Sequence, residues 1–233
     1  MLPKILKRKF GDYVIEFCIV LLGITIAFWL SNLGEIAKER KLEGVYLQQL
    51  NEDISVDIKA LTQAIKFNEA KIADLNNGVE YVISNSKNLD ADSVANYALH
   101  CGEYNFFYPT SNSYITLQKS GDLKIIKDQE LKKKLIDLYQ AYDQIKNEQG
   151  NLIQPLDDNF FPMLHESFNL ITGEITNKSF FRSVKCTNFI AFTMQTTEQI
   201  NGWYEFSTKL AIQTSEMILK DIGESEPAQD ASN

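Results

Sequence analysis

At 233 residues, with 44% hydrophobic and 23% charged side chains, the chain has a globular balance. Only 11 Gly and 5 Pro favour long helices over a turn-rich β sandwich. The net charge of −8 is uneven: residues 1–41 carry seven Lys/Arg against four Asp/Glu, and residues 42–233 carry 16 against 27. Such an acidic body is repelled by nucleic acid and anionic lipid, and no basic patch interleaved with aromatics occurs, which argues against nucleic-acid binding.

In chain order, residues 1–12 are a basic tail, with Lys4, Lys7, Arg8 and Lys9, too short to fold. Tyr13 to Leu33 follows, YVIEFCIVLLGITIAFWLSNL, and from Phe17 to Gly34 the one ionisable side chain is the Cys18 thiol. As a helix that run spans roughly 27 Å, about the thickness of a hydrocarbon core. Tyr13 and Trp29 stand near its ends, where amphipathic rings favour the membrane interface. Residues 13–34 are therefore expected to be a transmembrane helix. The run exceeds an ordinary signal-peptide core and no small-x-small pair follows it, so an uncleaved signal anchor is expected. Lys38, Arg40 and Lys41 nearly balance the tail, yet a long C-terminal body translocates with little regard for charge. The expected placement is the inner (cytoplasmic) membrane, single-pass, with a cytoplasmic N-terminus and a periplasmic or other extracytoplasmic body.

Two features mark the span. Glu16 lies about one turn inside its N-terminal end, where it either snorkels to water, helped by the helix dipole, or faces a partner helix or ion path. Gly23 and Ala27, at i and i+4 beside Thr25, offer a small face for helix association.

Residues 35–222 read as an all-helical body. Ile54, Ile58, Leu61, Ile65, Asn68, Ile72 and Leu75 alternate at four and three, the seam of a coiled-coil-like stalk running roughly 60 Å from Glu35 to Leu75. Asn68 on that seam sets the register of an oligomer, or meets a partner helix or water. Asn76-Asn77-Gly78 can turn the chain, unless the helix continues to Ser84. Asp90 or Asp92 can cap a short helix, SVANYALHC; Ser111 or Thr110 can cap another, with Gly121 as its left-handed end. Leu131, Leu135, Leu138, Tyr142 and Ile145 mark a further helix, interrupted at Gly150 and Pro155, with Pro162 interrupting the next segment. NLITGEITNKSFF is turn-rich and suits a short extended pair. From about Thr187 a last long helix places Ile200, Trp203, Phe206, Leu210 and Met217 on one face, and residues 223–233 are expected to be a disordered tail.

No phosphate-binding loop, dinucleotide fingerprint, HExxH or GxSxG occurs. His100 and His165 lie far apart in sequence; with Cys101, Glu103 and Glu166 they carry no specific ligand spacing, and the carboxylates Asp157 and Asp158 suit a solvated loop. Zinc has no support, since there is no CxxC. Cys101 and Cys186 can form a disulfide outside the cytoplasm, or stay half-buried thiols. No catalytic, cofactor-binding or metal-binding residue is named, and an enzyme is not expected.

Two blocks resemble an uncharacterised bacterial family of single-span membrane proteins, a domain of unknown function. IEFCIVLLGITIAFWLSNLGEIAKERK is similar to its membrane segment, with Glu16, Gly23, Ile24, Ile26, Ala27 and Asn32 at matching positions. YPTSNSYITLQKSGDLKIIKDQELKKKLIDLY is similar to its second segment, through Tyr114, Leu117, Ser120, Gly121, Leu135 and Tyr139. The NWNE signature reads Asn32-Leu33-Gly34-Glu35 here, without the tryptophan. The resemblance implies a bitopic membrane protein with a helical extracytoplasmic domain and no assigned activity.

The expected function is a membrane-anchored helical interaction or scaffold module, an accessory subunit of a cell-envelope complex. It meets a protein partner, or a second copy, through its membrane and stalk helices. The alternatives are an ion-coupled subunit using Glu16 and a periplasmic sensor, the latter weakened by a tail too short to signal alone.

Overall fold

The computed structural model describes the backbone of residues 4–225 and the side chains of residues 12–223. The expected disordered tail lies outside the described residues from 226 on; residues 223–225 still belong to the last helix. The fold is all-α, and no strand occurs among the described residues.

Helix α1 runs unbroken from Lys4 to Ser84. One expectation is thereby corrected: the chain before the apolar run is helical from Lys4, because nothing in it breaks the helix that follows. Of the two courses open at Asn76-Asn77-Gly78, the chain takes the helix on to Ser84 and makes no turn. Gly78 serves instead as a contact point: a Cβ there would lie 2.8 Å from the Cβ of Tyr97, so its absence lets α2 (Ala91–Leu99) close on α1. Asp90 caps α2, accepting from the Ser93 amide at 2.9 Å.

After a 3-10 turn at His100–Gly102, residues 103–111 cross the bundle without regular structure and lead into α3 (Asn112–Ser120). Gly121 ends α3 at φ 75°, as its position after the helix predicts. Asp128 caps α4 (Gln129–Pro155), accepting from the amides of Glu130 and Leu131 at 2.8 and 3.1 Å.

The expected interruptions of α4 fall differently. The helix passes Gly150 unbroken, and at Pro155 it widens into a π turn (Leu156–Phe160) that feeds α5 (Phe161–Ser167). A π turn next to a proline absorbs the lost donor without ending the helix. Pro162 sits in the first turn of α5, where no intrahelical donor is needed. Phe168 and Ile175 form a single antiparallel bridge around Gly173 (φ 72°), then α6 (Lys178–Phe181) and α7 (Val184–Ser225) follow.

α7 runs back along α1, with Ser215 Oγ donating to Asn51 Oδ1 at 2.6 Å. On α1 the buried positions are Glu43, Leu47, Leu50, Ile54, Asp57, Leu61, Ala64, Asn68, Lys71, Leu75 and Gly78, alternating by four and three. The expected seam has the right phase at Ile54, Leu61, Asn68 and Leu75. Ile58, Ile65 and Ile72 flank it half-buried, while Asp57, Ala64 and Lys71 take the centre.

On α7 the buried file is Cys186, Ile190, Thr193, Thr197, Ile200, Tyr204, Ser207, Ala211, Thr214 and Ile218. The expected apolar face holds at Ile200 and Leu210, both buried, and is corrected at three positions: Phe206 is 53% exposed, and Trp203 and Met217 are half-buried. Small hydroxyl residues occupy the seam, and their spacing carries no apolar signal. The α4 residues Leu131, Leu135, Leu138, Tyr142 and Ile145 are all buried.

Candidate functional site

Backbone groups of the irregular segment 103–111 have no ladder to join, so the bundle must supply partners. Lys71 of α1 donates its ammonium to the Glu103 carbonyl. The Phe107 amide donates to Tyr204 Oη at 3.3 Å, and the Phe107 carbonyl accepts from Gln149 Nε2 at 3.1 Å. Gln149 also donates to Tyr204 Oη at 3.0 Å, tying α4 to α7 beneath the segment. The Thr110 amide donates to Asp57 Oδ1 at 2.8 Å, and the Ser113 amide at the start of α3 donates to Asp53 Oδ2 at 3.3 Å. Asp57 and Lys71 of α1, Gln149 of α4 and Tyr204 of α7 thus pin one strap of chain from three helices.

Burial sets their electrostatics. Asp57 is 1% exposed, and desolvation pushes its carboxyl up to about 6 against the pull of the Thr110 amide and hydroxyl and of Tyr142. Asp57 Oδ2 and Tyr142 Oη are both buried, and neither completes a hydrogen bond of normal geometry. Desolvation likewise raises the Tyr139 and Tyr142 phenols. It lowers the Lys71 ammonium to about 8, with Cys101 and Glu103 pulling the other way.

Cys101 and Cys186 are buried free thiols, so the disulfide considered from the sequence is not formed. Burial pushes the Cys101 thiol up to about 11, and burial with the neighbouring Cys101 pushes Cys186 up to about 12. A nucleophilic cysteine needs the opposite shift. His100 Nδ1 pairs with Glu103 Oε2 at 3.1 Å, whereas His165 lies beside the Phe161 ring. Asp157 and Asp158 are exposed in the π turn. Among the described residues no group of three or more His, Cys, Asp or Glu is placed to hold a metal ion.

The membrane-type residues lie apart from this strap. Glu16, Gly23 and Ala27 are all exposed on α1, and no atom comes within 4 Å of where a Cβ on Gly23 would stand. Thr25 turns its hydroxyl inward to its own helix, donating to the Leu21 carbonyl at 2.8 Å.

Reading apolar spacing alone misses Asp57, Lys71, Gln149 and Tyr204. The signal that finds the first two is register: stepping by four and three from Leu47 and Leu50 lands on Asp57 and Lys71, so two charges share a phase with Leu61 and Leu75.

A model for a family of unknown function, DUF6090, matches residues 16–196. The chain belongs to DUF6090. No curated protein and no solved structure matches it. The DUF6090 match takes in Glu16, Gly23, Ala27, the whole pinned strap and both buried cysteines, and it stops within α7. The match agrees with the sequence-based expectation in that the family is an uncharacterised one.

Proposed function

We propose that this DUF6090 chain is a membrane-anchored helical interaction module, a scaffold or accessory subunit of a cell-envelope complex. The observation that carries the reading is the bare apolar run of α1. Among the described residues, α1 is the one helix long and apolar enough to cross a membrane, and none of its most apolar stretch is buried. Isoleucine, leucine and phenylalanine side chains exposed along a whole helix form a patch far larger than a soluble surface tolerates. Lipid covers such a surface, and Gly23 and Ala27 leave room on it for a second helix.

The placement proposed is an uncleaved signal anchor in the cytoplasmic membrane, basic tail inside and body outside. A binding role is favoured over catalysis because Asp57, Lys71 and Gln149 are occupied by the strap and the thiols are held protonated. The four-three seam between α1 and α7 supports a coiled-coil-like stalk. Glu16, exposed on the apolar run, supports the second reading, an ion-coupled subunit.

One experiment separates the two. The parent and Glu16→Gln are purified in mild detergent and tested for recovered partner and for rescue of a deletion phenotype. Gln keeps size and hydrogen bonding without a releasable proton. A scaffold predicts equal partner recovery and full rescue. Normal assembly without rescue would establish ion coupling instead.

A further inference from the structure

We infer that the open face between α4 and α7 is where a second copy of this chain packs, with the two α7 helices side by side and parallel. The surface is separate from the membrane span and from the seam between α1 and α7. Trp203, Phe206, Leu210, Gln213 and Met217 recur at three and four along α7, one residue out of step with that seam. The offset turns them about 100° around the helix, so α7 carries two stripes of coiled-coil spacing.

One stripe is filled by α1 and the other is filled only along one edge. Leu210 is buried, and Lys134 of α4 reaches across to donate to Gln213 Oε1 at 3.0 Å. Phe206 is left 53% exposed, with Trp203 and Met217 half-buried. The Trp203 and Phe206 rings meet edge-on at 5.8 Å, and Phe206 borders a hollow of about 390 Å³.

Charge and level name the occupant. Asp137 on the α4 rim and Lys209 on the α7 rim border that same hollow, so they stand at one height along the bundle. Among the described residues neither is held in an ion pair. Two anchored copies meet side by side and pointing the same way, which is a two-fold axis along the membrane normal. Rotation about an axis parallel to α7 keeps every level and sets the α4 rim of each copy against the α7 rim of the other. Asp137 of one copy then faces Lys209 of the other, and the reverse. The match comes from one chain alone, as a self-complementary contact requires. Between the rims, Phe206, Trp203 and Met217 of both copies close an apolar centre. The parallel arrangement rests on the anchor reading.

The test is cross-linking of the full chain in isolated membranes, where anchoring concentrates the copies. Cys18→Ser removes the exposed native thiol, and Gln213→Cys sets one beside the hollow. A short bismaleimide should give a product of twice the chain mass, and Gln63→Cys, exposed on α1, should give none. Phe206→Asp, added to Gln213→Cys, should cut that product at least fivefold. In dilute detergent, with the copies apart, it should melt with its parent. Asp137→Lys and Lys209→Asp should each lower the product at least twofold, and the two together should restore it. No product at Gln213, a product of another mass, an unmoved yield with Phe206→Asp, or an exchange no better than its single changes would each overturn the second copy. Alkaline washing of the same membranes reads the anchor by itself. A chain that washes off yet joins at Gln213, with the exchange restoring, sinks the anchor and keeps the interface. One that stays and does not join does the reverse.

Discussion

Gly121 holds φ at 75° with no atom near the place a Cβ would take, so the cost of a side chain there is one of backbone alone. A β-branched residue in that region costs roughly 1–2 kcal/mol, and Asn clearly less. Chemical denaturation of the body should therefore rank the parent above Gly121→Asn and Gly121→Val last. Tyr204 makes a second residue-scale case. Its hydroxyl accepts from the Phe107 amide and from Gln149, so Tyr204→Phe leaves the buried Phe107 amide unpaired and Gln149 with its bond to the Phe107 carbonyl alone. A loss of about 1–3 kcal/mol is expected, with the same ring still filling the core. Gly121 was readable from sequence because a glycine after a capped helix has few other uses. Tyr204 was not, because its partners lie 55 and 97 residues away.

At the scale of the elements, helices declare themselves by caps and apolar period, and most were legible for that reason. α4 shows every expected apolar position buried. α7 departs from that pattern: its seam includes Thr193, Thr197, Ser207 and Thr214, which look like surface, while Phe206 looks like core and is half in water. Buried polar residues on α1 mislead in the same direction, since Asp57 and Lys71 find partners only once the strap is in place. The paired expectation is sharp. Leu61→Asp puts an unpaired charge at a fully buried seam position and should cost on the order of 4 kcal/mol. Phe206→Ser should change stability by no more than about 0.5 kcal/mol. Thermal melts of the two variants beside the parent check both, and a destabilised Phe206→Ser would place that face against another element.

For the whole molecule, the architecture was legible and the strap was not. A long apolar run joined without a break to a four-three seam reads as one continuous helix, and α1 is that helix. The candidate site, by contrast, depends on three helices converging on an irregular segment, and no local pattern announces that. Topology gives the expectation at this scale. With the body outside, a membrane-impermeant protease should digest it in spheroplasts and spare it in cells whose outer barrier is intact. Digestion confined to inverted vesicles would reverse the proposed orientation.

The unbroken course of α1 has a mechanical consequence. Its 81 residues contain no proline, and nothing between the apolar run and Ser84 serves as a hinge. In the proposed placement the stretch beyond Gly34 is a lever roughly 75 Å long whose short arm is embedded in lipid. A lean of about 10°, ordinary for a spanning helix, sweeps the outer tip through roughly 13 Å. In that placement a change of lean within the lipid would be carried along α1 and magnified at its distal end.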